Sequence, residues 1–277
     1  MKYLKDRLSK APIHIVLIIS SIISIFPCYY IIVTAFKDLQ EHYNNIYAPP
    51  ARWTFANIIT LYTEYGFLRS TLNSIIVTAL SILLALVIST FAGYAYSKMK
   101  FKAKEFLFSF TIALTGVPVM IVLIPVYVLA SKINMLNSYI GVSFVYATFM
   151  LPFCIFLLTS FFRSIPQELI DAAMIDGCNK FQVLYKIILP LSKPIITTII
   201  IVNSAWVWND LLIAMMFLMK PEMMTVTVNL NRIGGRYAQN PVLTQAGALF
   251  VIIPMIILFL VGQKNFRRGL FAGAIKE

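Results

Sequence analysis

Charged residues and reactive side chains are scarce in this sequence. Only 12% of its 277 residues are charged and 60% are hydrophobic, whereas soluble domains have about 25% charged and about 45–50% apolar residues. This composition excludes an ordinary soluble enzyme and an intrinsically disordered chain. The cysteines are too few for a framework of paired disulfides, and they lie at Cys28, Cys154 and Cys178.

The motifs of common membrane enzymes are also missing. The only histidines are His14 and His42, and neither belongs to an H-E-x-x-H zinc motif. No G-x-S-x-G nucleophile turn occurs, and none of the 11 glycines belongs to a P-loop that would cradle nucleotide phosphates. The sequence therefore predicts no catalytic, metal or cofactor site on this chain. Passage of a solute is favoured, and any ATP that drives it must bind a partner.

Long apolar runs make up most of the sequence. A helix needs about 20 apolar residues to cross a bilayer, and the mean hydropathy of the chain is +0.83. We expect an all-α membrane protein with one transmembrane domain over residues 1–277, whose first span is an uncleaved anchor. The six predicted spans are 12–36, 72–97, 106–131, 139–162, 194–219 and 243–262.

Basic residues give the predicted orientation. The net charge is +12, and 16 of the 23 lysines and arginines fall on the side of the N-terminus, the Lys98–Lys104 hairpin, loop 163–193 and the tail 263–277. The positive-inside rule places both termini in the cytoplasm. The charge is thus a topology signal, and no nucleic-acid partner is expected. The hairpin lysines are interpreted as contacts to anionic lipid headgroups.

The cytoplasmic loop between spans four and five carries strong helix signals. Ser164 with Gln167 fits a capping box, and Gly177 stands where a left-handed C-terminal cap belongs, which predicts a helix of about 12 residues. A second helix is predicted from Asn179 to Leu189. A rigid acidic pair of helices favours a protein partner. The alternative is an amphipathic hairpin on lipid, where its acids would face an anionic leaflet.

This loop resembles a known family motif. The motif begins at Asp171 with the letters D-A-A, continues with Gly177, and ends in I-I-L-P at residues 187–190. It is similar to the EAA-x3-G-x9-I-x-L-P loop of binding-protein-dependent ABC importer permeases. Asp171 stands where the family has Glu, so its carboxylate is one methylene closer to the backbone.

Other segments resemble the second permease subunit of sugar importers such as the maltose system. They are P-P at 49–50, F-A-N at 55–57, N-S at 73–74, Y-A-Y-S at 94–97, W-N-D at 208–210, T-V-T-V at 225–228 and the tail from Gln263. The resemblance implies a type I ABC importer permease with six transmembrane helices in a bacterial cell membrane. Its implied partners are a sister permease, two copies of a cytoplasmic ATPase that bind ATP and Mg²⁺, and an extracytoplasmic sugar-binding protein.

The resemblance also implies roles for single residues. The family's tail reaches between the two ATPases, which implies contacts there for Gly269, Gly273 and Lys276. The loop residues implied to contact the ATPase are Glu168, Asp171, Ala172, Ala173, Asp176, Gly177 and Phe181.

Span five holds the one acid inside an apolar run. A charge near the centre of a spanning helix costs roughly 2.5–3.5 kcal/mol, so Asp210 should face protein or water. Helical spacing places Asn203, Trp206 and Asp210 on one face. With Asn209, they are candidates for contact with a sugar. The alternative is structural packing, because tryptophan often marks the membrane interface and asparagine joins helices.

The outer loop before span six is the candidate receptor contact. The Gly234-Gly235 pair permits a tight, exposed tip with unusual backbone angles. The family uses this loop to probe the receptor, and an ordinary solvated loop is the alternative. Kinks are expected at Pro118, Pro125 and Pro152 in spans three and four. The receptor-probing candidates are Asn231, Arg232, Gly234, Gly235, Arg236 and Tyr237.

These features predict a non-enzymatic subunit that forms half of the translocation path of an ATP-driven importer. Its implied solute is an oligosaccharide of the maltodextrin, raffinose or multiple-sugar type. The second hypothesis is a secondary transporter or channel that works alone. That hypothesis requires paired midplane charges or Gly-rich broken helices in symmetric halves. Asp210 is the only embedded acid and no internal repeat occurs, so the importer is favoured.

Overall fold

The computed structural model describes residues 2–236 and 240–274, with side-chain surroundings for 12–235 and 240–264. All regular structure in these ranges is helical. The helices are α1 Lys2–Ala35, α2 Leu39–Asn44, α3 Ala56–Thr63, α4 Phe67–Lys98, α5 Lys104–Ala113, α6 Val119–Lys132, α7 Tyr139–Ser164, α8 Gln167–Ile175, α9 Lys180–Val183, α10 Leu189–Leu191, α11 Lys193–Asn209, α12 Leu212–Phe217, α13 Val226–Arg236 and α14 Pro241–Ala274. Short 3₁₀ turns cover Leu114–Gly116 and Pro221–Met223, and a π turn covers Leu184–Ile188.

Four single helices are long and apolar enough to cross a membrane. Their apolar parts are Pro12–Ala35, Phe67–Lys98, Tyr139–Ser164 and Pro241–Lys264. Two further spans are possible only as bent helix pairs, which would bring the number to the six that were expected. One pair bends by 99° between α5 and α6, and the other by 72° where α11 begins.

Prolines account for the positions of these bends. Pro118 precedes α6 in an extended conformation, and it cannot donate the backbone hydrogen bond that would join α5 to α6. Pro194 occupies the first turn of α11, where a missing N–H costs nothing. By contrast, Pro125 and Pro152 lie inside α6 and α7, and neither helix is interrupted there.

The predicted fifth span, 194–219, is wrong in its outer part. Helix α11 ends at Asn209, and Asp210 follows in an extended conformation. The separate helix α12 then covers Leu212–Phe217. The polar W-N-D segment therefore marks a helix end rather than the middle of a spanning helix.

Residue contacts divide the chain into two compact units. The first combines 1–68 with 229–252, and the second combines 69–228 with 253–277. In the first unit, Lys37 is fully buried and its Nζ donates to the carbonyl oxygens of Asn45 and Ile46 at 2.7 and 3.2 Å. Asn57 Nδ2 donates to the carbonyls of Ala35 and Lys37. The two bonds from Asn57 satisfy carbonyl groups at and just after the end of α1.

The second unit contains a continuous apolar core. Helix α7 lies at its centre and buries residues along its whole length, including Tyr146, Leu158 and Phe162. Helices α4, α6, α8, α11 and α12 all contribute side chains to the same core. Gly93 of α4 allows a close approach to α7, since an added Cβ would lie 3.1 Å from Leu158 Cβ.

Candidate functional site

The cytoplasmic helix α8 ends with the glycine cap that the sequence predicts. Gly177 has φ +87°, a conformation that L side chains rarely adopt. The Cys178 amide donates to the Ala173 carbonyl at 2.9 Å, and the Gly177 amide donates to Met174 at 3.1 Å. No atom lies within 4 Å of the place where a Cβ would be. The glycine is therefore required by the backbone and not by packing.

The two helices of this loop begin differently. Asn179, the predicted start of the second helix, forms a capping box with Gln182, each side chain accepting the other residue's backbone N–H at 2.9 and 2.8 Å. The Ser164–Gln167 box is wrong, because Ser164 is the last residue of α7 and its Oγ donates to the Phe161 carbonyl. Helix α8 begins after Pro166 without a side-chain cap. It has 9 residues, fewer than expected.

The second helix of the loop runs slightly further than expected. Helical structure continues from Lys180 to Leu191, past the predicted end at Leu189. A π turn precedes Pro190, and the Leu189 amide donates to Leu184 five residues back. This wider turn keeps the helical run intact through the proline.

Most of the predicted ATPase contacts lie on the surface of α8 and α9. The exception is Ala173, which is 6% exposed and packs into the core, so its small size serves packing within the chain. Asp171 Oδ1 accepts a hydrogen bond from Gln167 Nε2 at 3.0 Å. The exposed residues are Glu168, Asp171, Ala172, Asp176, Gly177 and Phe181.

The same loop exposes large apolar side chains as well as acids. Ile175 is 85% exposed, Phe181 71% and Tyr185 63%. Large exposed apolar side chains in a polar loop are typical of sites of association. Of these three, only Phe181 was predicted from the sequence. The other two could have been found from their places beside the α8 cap and one helical turn beyond Phe181.

The hairpin before α5 contacts the beginning of this loop. Lys98 Nζ donates to the Ile165 carbonyl at 2.6 Å. Arg163 donates to both carboxylate oxygens of Glu105 at 3.2 and 3.3 Å, and its guanidinium lies 4.8 Å from the centre of the Phe108 ring. Lys98 was interpreted as a lipid contact from sequence, whereas the structure gives it a protein partner.

The four span-five candidates do not form one polar cluster. Asn203 is buried, and its Nδ2 donates to the Ile199 carbonyl at 2.8 Å and to Cys154 Sγ at 3.6 Å. Asn209 is exposed and donates to the Ala205 carbonyl in its own helix. These contacts favour helix joining for Asn203, which was the structural alternative.

Asp210 and Trp206 both contact Tyr146, which was not among the residues predicted from the sequence. Asp210 Oδ2 accepts from Tyr146 Oη at 2.8 Å, from the Ile213 amide at 2.9 Å and from the Ala214 amide at 3.2 Å. The last two bonds satisfy N–H groups at the start of α12. The Trp206 ring is 37% exposed and packs edge-on against Tyr146, with ring centres 5.7 Å apart.

Three polar side chains fasten the segment that leads into α13. Asn73 Nδ2 donates to the carbonyls of Glu222 and Met224 at 3.0 and 2.9 Å. Ser74 Oγ accepts the Val226 amide at 2.8 Å. Asn137 Oδ1 accepts the amides of residues 219 and 220. The N-S pair at 73–74 thus fixes where α13 begins.

The predicted tip at Gly234-Gly235 is wrong. Both glycines lie inside α13, and neither has a positive φ. Ile233 of the same helix is 2% exposed, and this burial of an apolar face keeps the segment helical. Asn231 and Arg232 are exposed.

Several predicted contacts fall at or beyond the limits of the described structure. Tyr237 and Lys276 lie outside the described residues. Arg236, Gly269 and Gly273 lie in helical backbone for which side-chain surroundings are not described. Within 2–236 and 240–274, no three His, Cys, Asp or Glu residues come together where they could hold a metal ion.

Comparison with known proteins identifies the family. The family model described as "Binding-protein-dependent transport system inner membrane component" matches residues 85–270, more than half of the chain. The chain is 33% identical over 277 residues to the putative ABC transporter permease protein ORF2 of Caldicellulosiruptor sp. (strain Rt8B.4), covering 100% of both. It is 32% identical over 249 residues to the melibiose/raffinose/stachyose import permease protein MelC of Bacillus subtilis (strain 168), covering 90% of each.

The fold has a counterpart among solved structures. A chain of a bacterial ABC transporter involved in the import of the acidic polysaccharide alginate superposes with a TM-score of 0.80 and 25% identity. The match covers 95% of this chain and 98% of that one. The relatives, the fold and the match over residues 85–270 agree: the chain belongs to the family of binding-protein-dependent transport system inner membrane components and is an ABC transporter permease.

Proposed function

We propose that this permease forms half of the path through which a bacterial cell membrane imports an oligosaccharide, and that α8 couples it to a cytoplasmic ATPase. The observation that carries the proposal is the exposed surface of α8 and α9. It combines three carboxylates with large apolar side chains on a rigidly capped pair of helices. The chain itself has no nucleotide-binding motif, so ATP and Mg²⁺ bind the partner.

The docking chemistry follows from this surface. Phe181 and Ile175 insert into an apolar groove, and Glu168, Asp171 and Asp176 pair with arginine or lysine around it. Gly177 turns the chain sharply, so that both helices engage one partner. Closure of an ATPase dimer then moves α8 as a lever. Moving a gate from 1:99 to 99:1 takes about 5.5 kcal/mol of differential binding, which two nucleotide-binding partners can supply.

The remaining partners are assigned by the same proposal. A sister permease completes the path, and the solute receptor meets the outer surface that includes Asn231 and Arg232. Both termini face the cytoplasm, and the tail with Gly269, Gly273 and Lys276 contacts the ATPases. An oligosaccharide is supported by relatives such as the melibiose/raffinose/stachyose permease. Trp206 and Asn209, which are exposed, are the candidate sugar contacts, and Asn203 and Asp210 support them.

Affinity purification from the source membranes tests the proposal. The tagged chain should co-elute with an ATPase, a second permease and a solute-binding protein, identified by mass spectrometry. Asp171→Lys and Gly177→Val should each lose the ATPase while keeping the sister permease. Glu64→Lys, an exposed acid far from the loop in sequence, is the matched control and should keep both. A chain that purifies alone and transports without ATP would instead support the secondary transporter.

Uptake identifies the solute. Membrane vesicles holding the complex should accumulate radiolabelled raffinose, stachyose or another oligosaccharide only with internal ATP and the co-purified receptor. ATP-dependent uptake that no oligosaccharide supports would overturn the assignment of the solute class and leave the coupling through α8 intact.

A further inference from the structure

The junction between α7 and α8 is held by a second part of the protein. Ile165 and Pro166 are the only residues between these helices, and Pro166 restricts the backbone at φ −55°. Lys98, at the end of α4, donates its Nζ proton to the Ile165 carbonyl at 2.6 Å. Glu105, in the first turn of α5, pairs with Arg163 in the last turn of α7. We call Lys98, Glu105 and Arg163 the junction clamp.

The Lys98 contact is the stronger half of the clamp. Ile165 follows the end of α7, where carbonyl groups lack partners in the helix and a positive charge is stabilised by the helix dipole. A charged donor makes this hydrogen bond stronger than one between neutral groups. The Ile165 side chain is itself 6% exposed. The backbone carbonyl and the buried side chain of Ile165 therefore both hold the junction in place.

The Arg163 contacts add direction to the clamp. The guanidinium bonds both oxygens of Glu105 and lies over the Phe108 ring, which is 8% exposed. The exposed ion pair alone adds little to stability. The pair matters more for geometry than for stability, because the planar guanidinium of Arg163 contacts both Glu105 and Phe108 of α5. Helix α5 is thus tied to the last turn of α7.

We infer that the junction clamp makes α8 and the α4–α5 hairpin move as one body, with Lys98 as a positioning residue. A push on α8 then reaches α4 and α5 as well as α7, so three membrane helices receive it at their cytoplasmic ends. The inference rests on the proposed coupling of α8 to an ATPase. It assigns to the hairpin a mechanical role beyond the lipid contact expected from its charge.

The hairpin contains its own control residues. Lys100 and Lys102 are exposed, and none of the hydrogen bonds described for residues 12–235 involves either side chain. They carry the same charge as Lys98 and lie in the same hairpin, but they lack its contact with Ile165. If the hairpin acts only on lipid, replacing any of the three lysines should have the same effect.

A distance measurement in the assembled complex tests the inference. Native cysteines are replaced, spin labels are placed at Lys102 and Met174, and a second pair is placed at Met174 and Lys132. All three labelled positions are exposed, and none is a proposed ATPase contact. Addition of ATP and Mg²⁺ should change the 174–132 distance. The 102–174 distance should change by no more than the roughly 1–2 Å expected of packed helices that shift together.

Variants then identify the residues responsible. Lys98→Met together with Arg163→Gln should broaden the 102–174 distance and let it change with ATP, whereas Lys98→Arg and Lys100→Met should behave as wild type. A 102–174 distance that changes with ATP in the wild type overturns the inference. So does one that remains fixed in the Lys98→Met, Arg163→Gln protein.

The two proposals fail in different ways. If α8 does not couple to an ATPase, the complex lacks that subunit and neither distance responds to ATP. If only the clamp is wrong, the 174–132 distance still responds, and the hairpin label moves independently of α8. If the double variant does not assemble, the single variant Lys98→Met is measured instead. The expected broadening of the distance between the hairpin label and the α8 label is then smaller.

Discussion

The carboxylate of Asp210 should contribute to stability rather than act as a free pathway charge. Its Oδ2 accepts three hydrogen bonds, one from the buried Tyr146 hydroxyl and two from amides that begin α12. Asp210→Ala removes all three acceptor contacts. It leaves the buried Tyr146 hydroxyl and two backbone donors without their acceptor.

The expected cost follows from these contacts. Loss of a helix cap costs about 0.5–2 kcal/mol, and a buried donor left unsatisfied costs about 1–3 kcal/mol. We therefore expect Asp210→Ala to lower the free energy of unfolding by about 2–4 kcal/mol. Tyr146→Phe keeps the packing against Trp206 and should cost less. The double variant should cost less than the sum, because both changes remove the same bond.

Unfolding in mixed micelles, followed by circular dichroism as SDS replaces a mild detergent, measures these differences. Asn209→Ala is the matched control, since its amide bonds only its own helix, and we expect a change within about 0.5 kcal/mol. A stability of Asp210→Ala equal to that of the control would refute the reasoning. Unchanged stability with lost uptake would indicate that the acid contacts the solute.

Three further predictions concern local features. Gly93→Ala should destabilise the protein by about 1–3 kcal/mol because its Cβ would meet Leu158, whereas Gly116→Ala, with open space around it, should not; thermal unfolding compares the two. Gly177→Ala should destabilise the left-handed turn by about 1–2 kcal/mol, and Gly177→Asn should destabilise it less. Retention of the ATPase during purification should therefore fall more for the Ala variant than for the Asn variant. Burial and the nearby Lys37 lower the pKa of His42, so stability should fall as pH drops below about 6.5. Melting curves at several pH values measure this fall, and His42→Asn should remove it.

The sign of the His42 effect follows from proton binding. The folded protein holds the neutral imidazole, while the unfolded chain binds a proton near the ordinary pKa of about 6.5. The stability that the neutral His42 imidazole contributes is fully present above that pH. It is lost as the pH falls from there to the lowered pKa of the folded state. A melting temperature that rises on acidification through this range would contradict the prediction.

Local signals in the sequence predicted local structure well. The Gly177 cap and the Asn179–Gln182 box depend on backbone groups within a few residues, so the sequence contains all of the relevant partners. Four of the six apolar runs correspond to single helices long enough to span a membrane, and the other two fall on bent helix pairs. The D-A-A motif correctly indicated the family.

Features that depend on distant residues were not predictable in the same way. Asp210 is held by Tyr146, which lies 64 positions away, and only the packing of α7 brings the two together. Lys98 and Lys100 belong to the same short basic run, yet the fold gives only the former the Ile165 carbonyl. The Gly234-Gly235 pair permitted a turn but did not require one, and burial of Ile233 decided for helix.

Helix α1 has a consequence for how the protein is assembled. Its apolar stretch Pro12–Ala35 has 24 residues, which at 1.5 Å per residue extend about 36 Å and exceed a hydrocarbon core of about 30 Å. Within the described chain, 0% of its most apolar window is buried. We therefore expect this apolar stretch to insert as an independent helix, the first stage of two-stage membrane folding, before the buried Val33 and Ala35 at its end pack. Detergent unfolding should report the packed helices alone, while α1 keeps its secondary structure throughout.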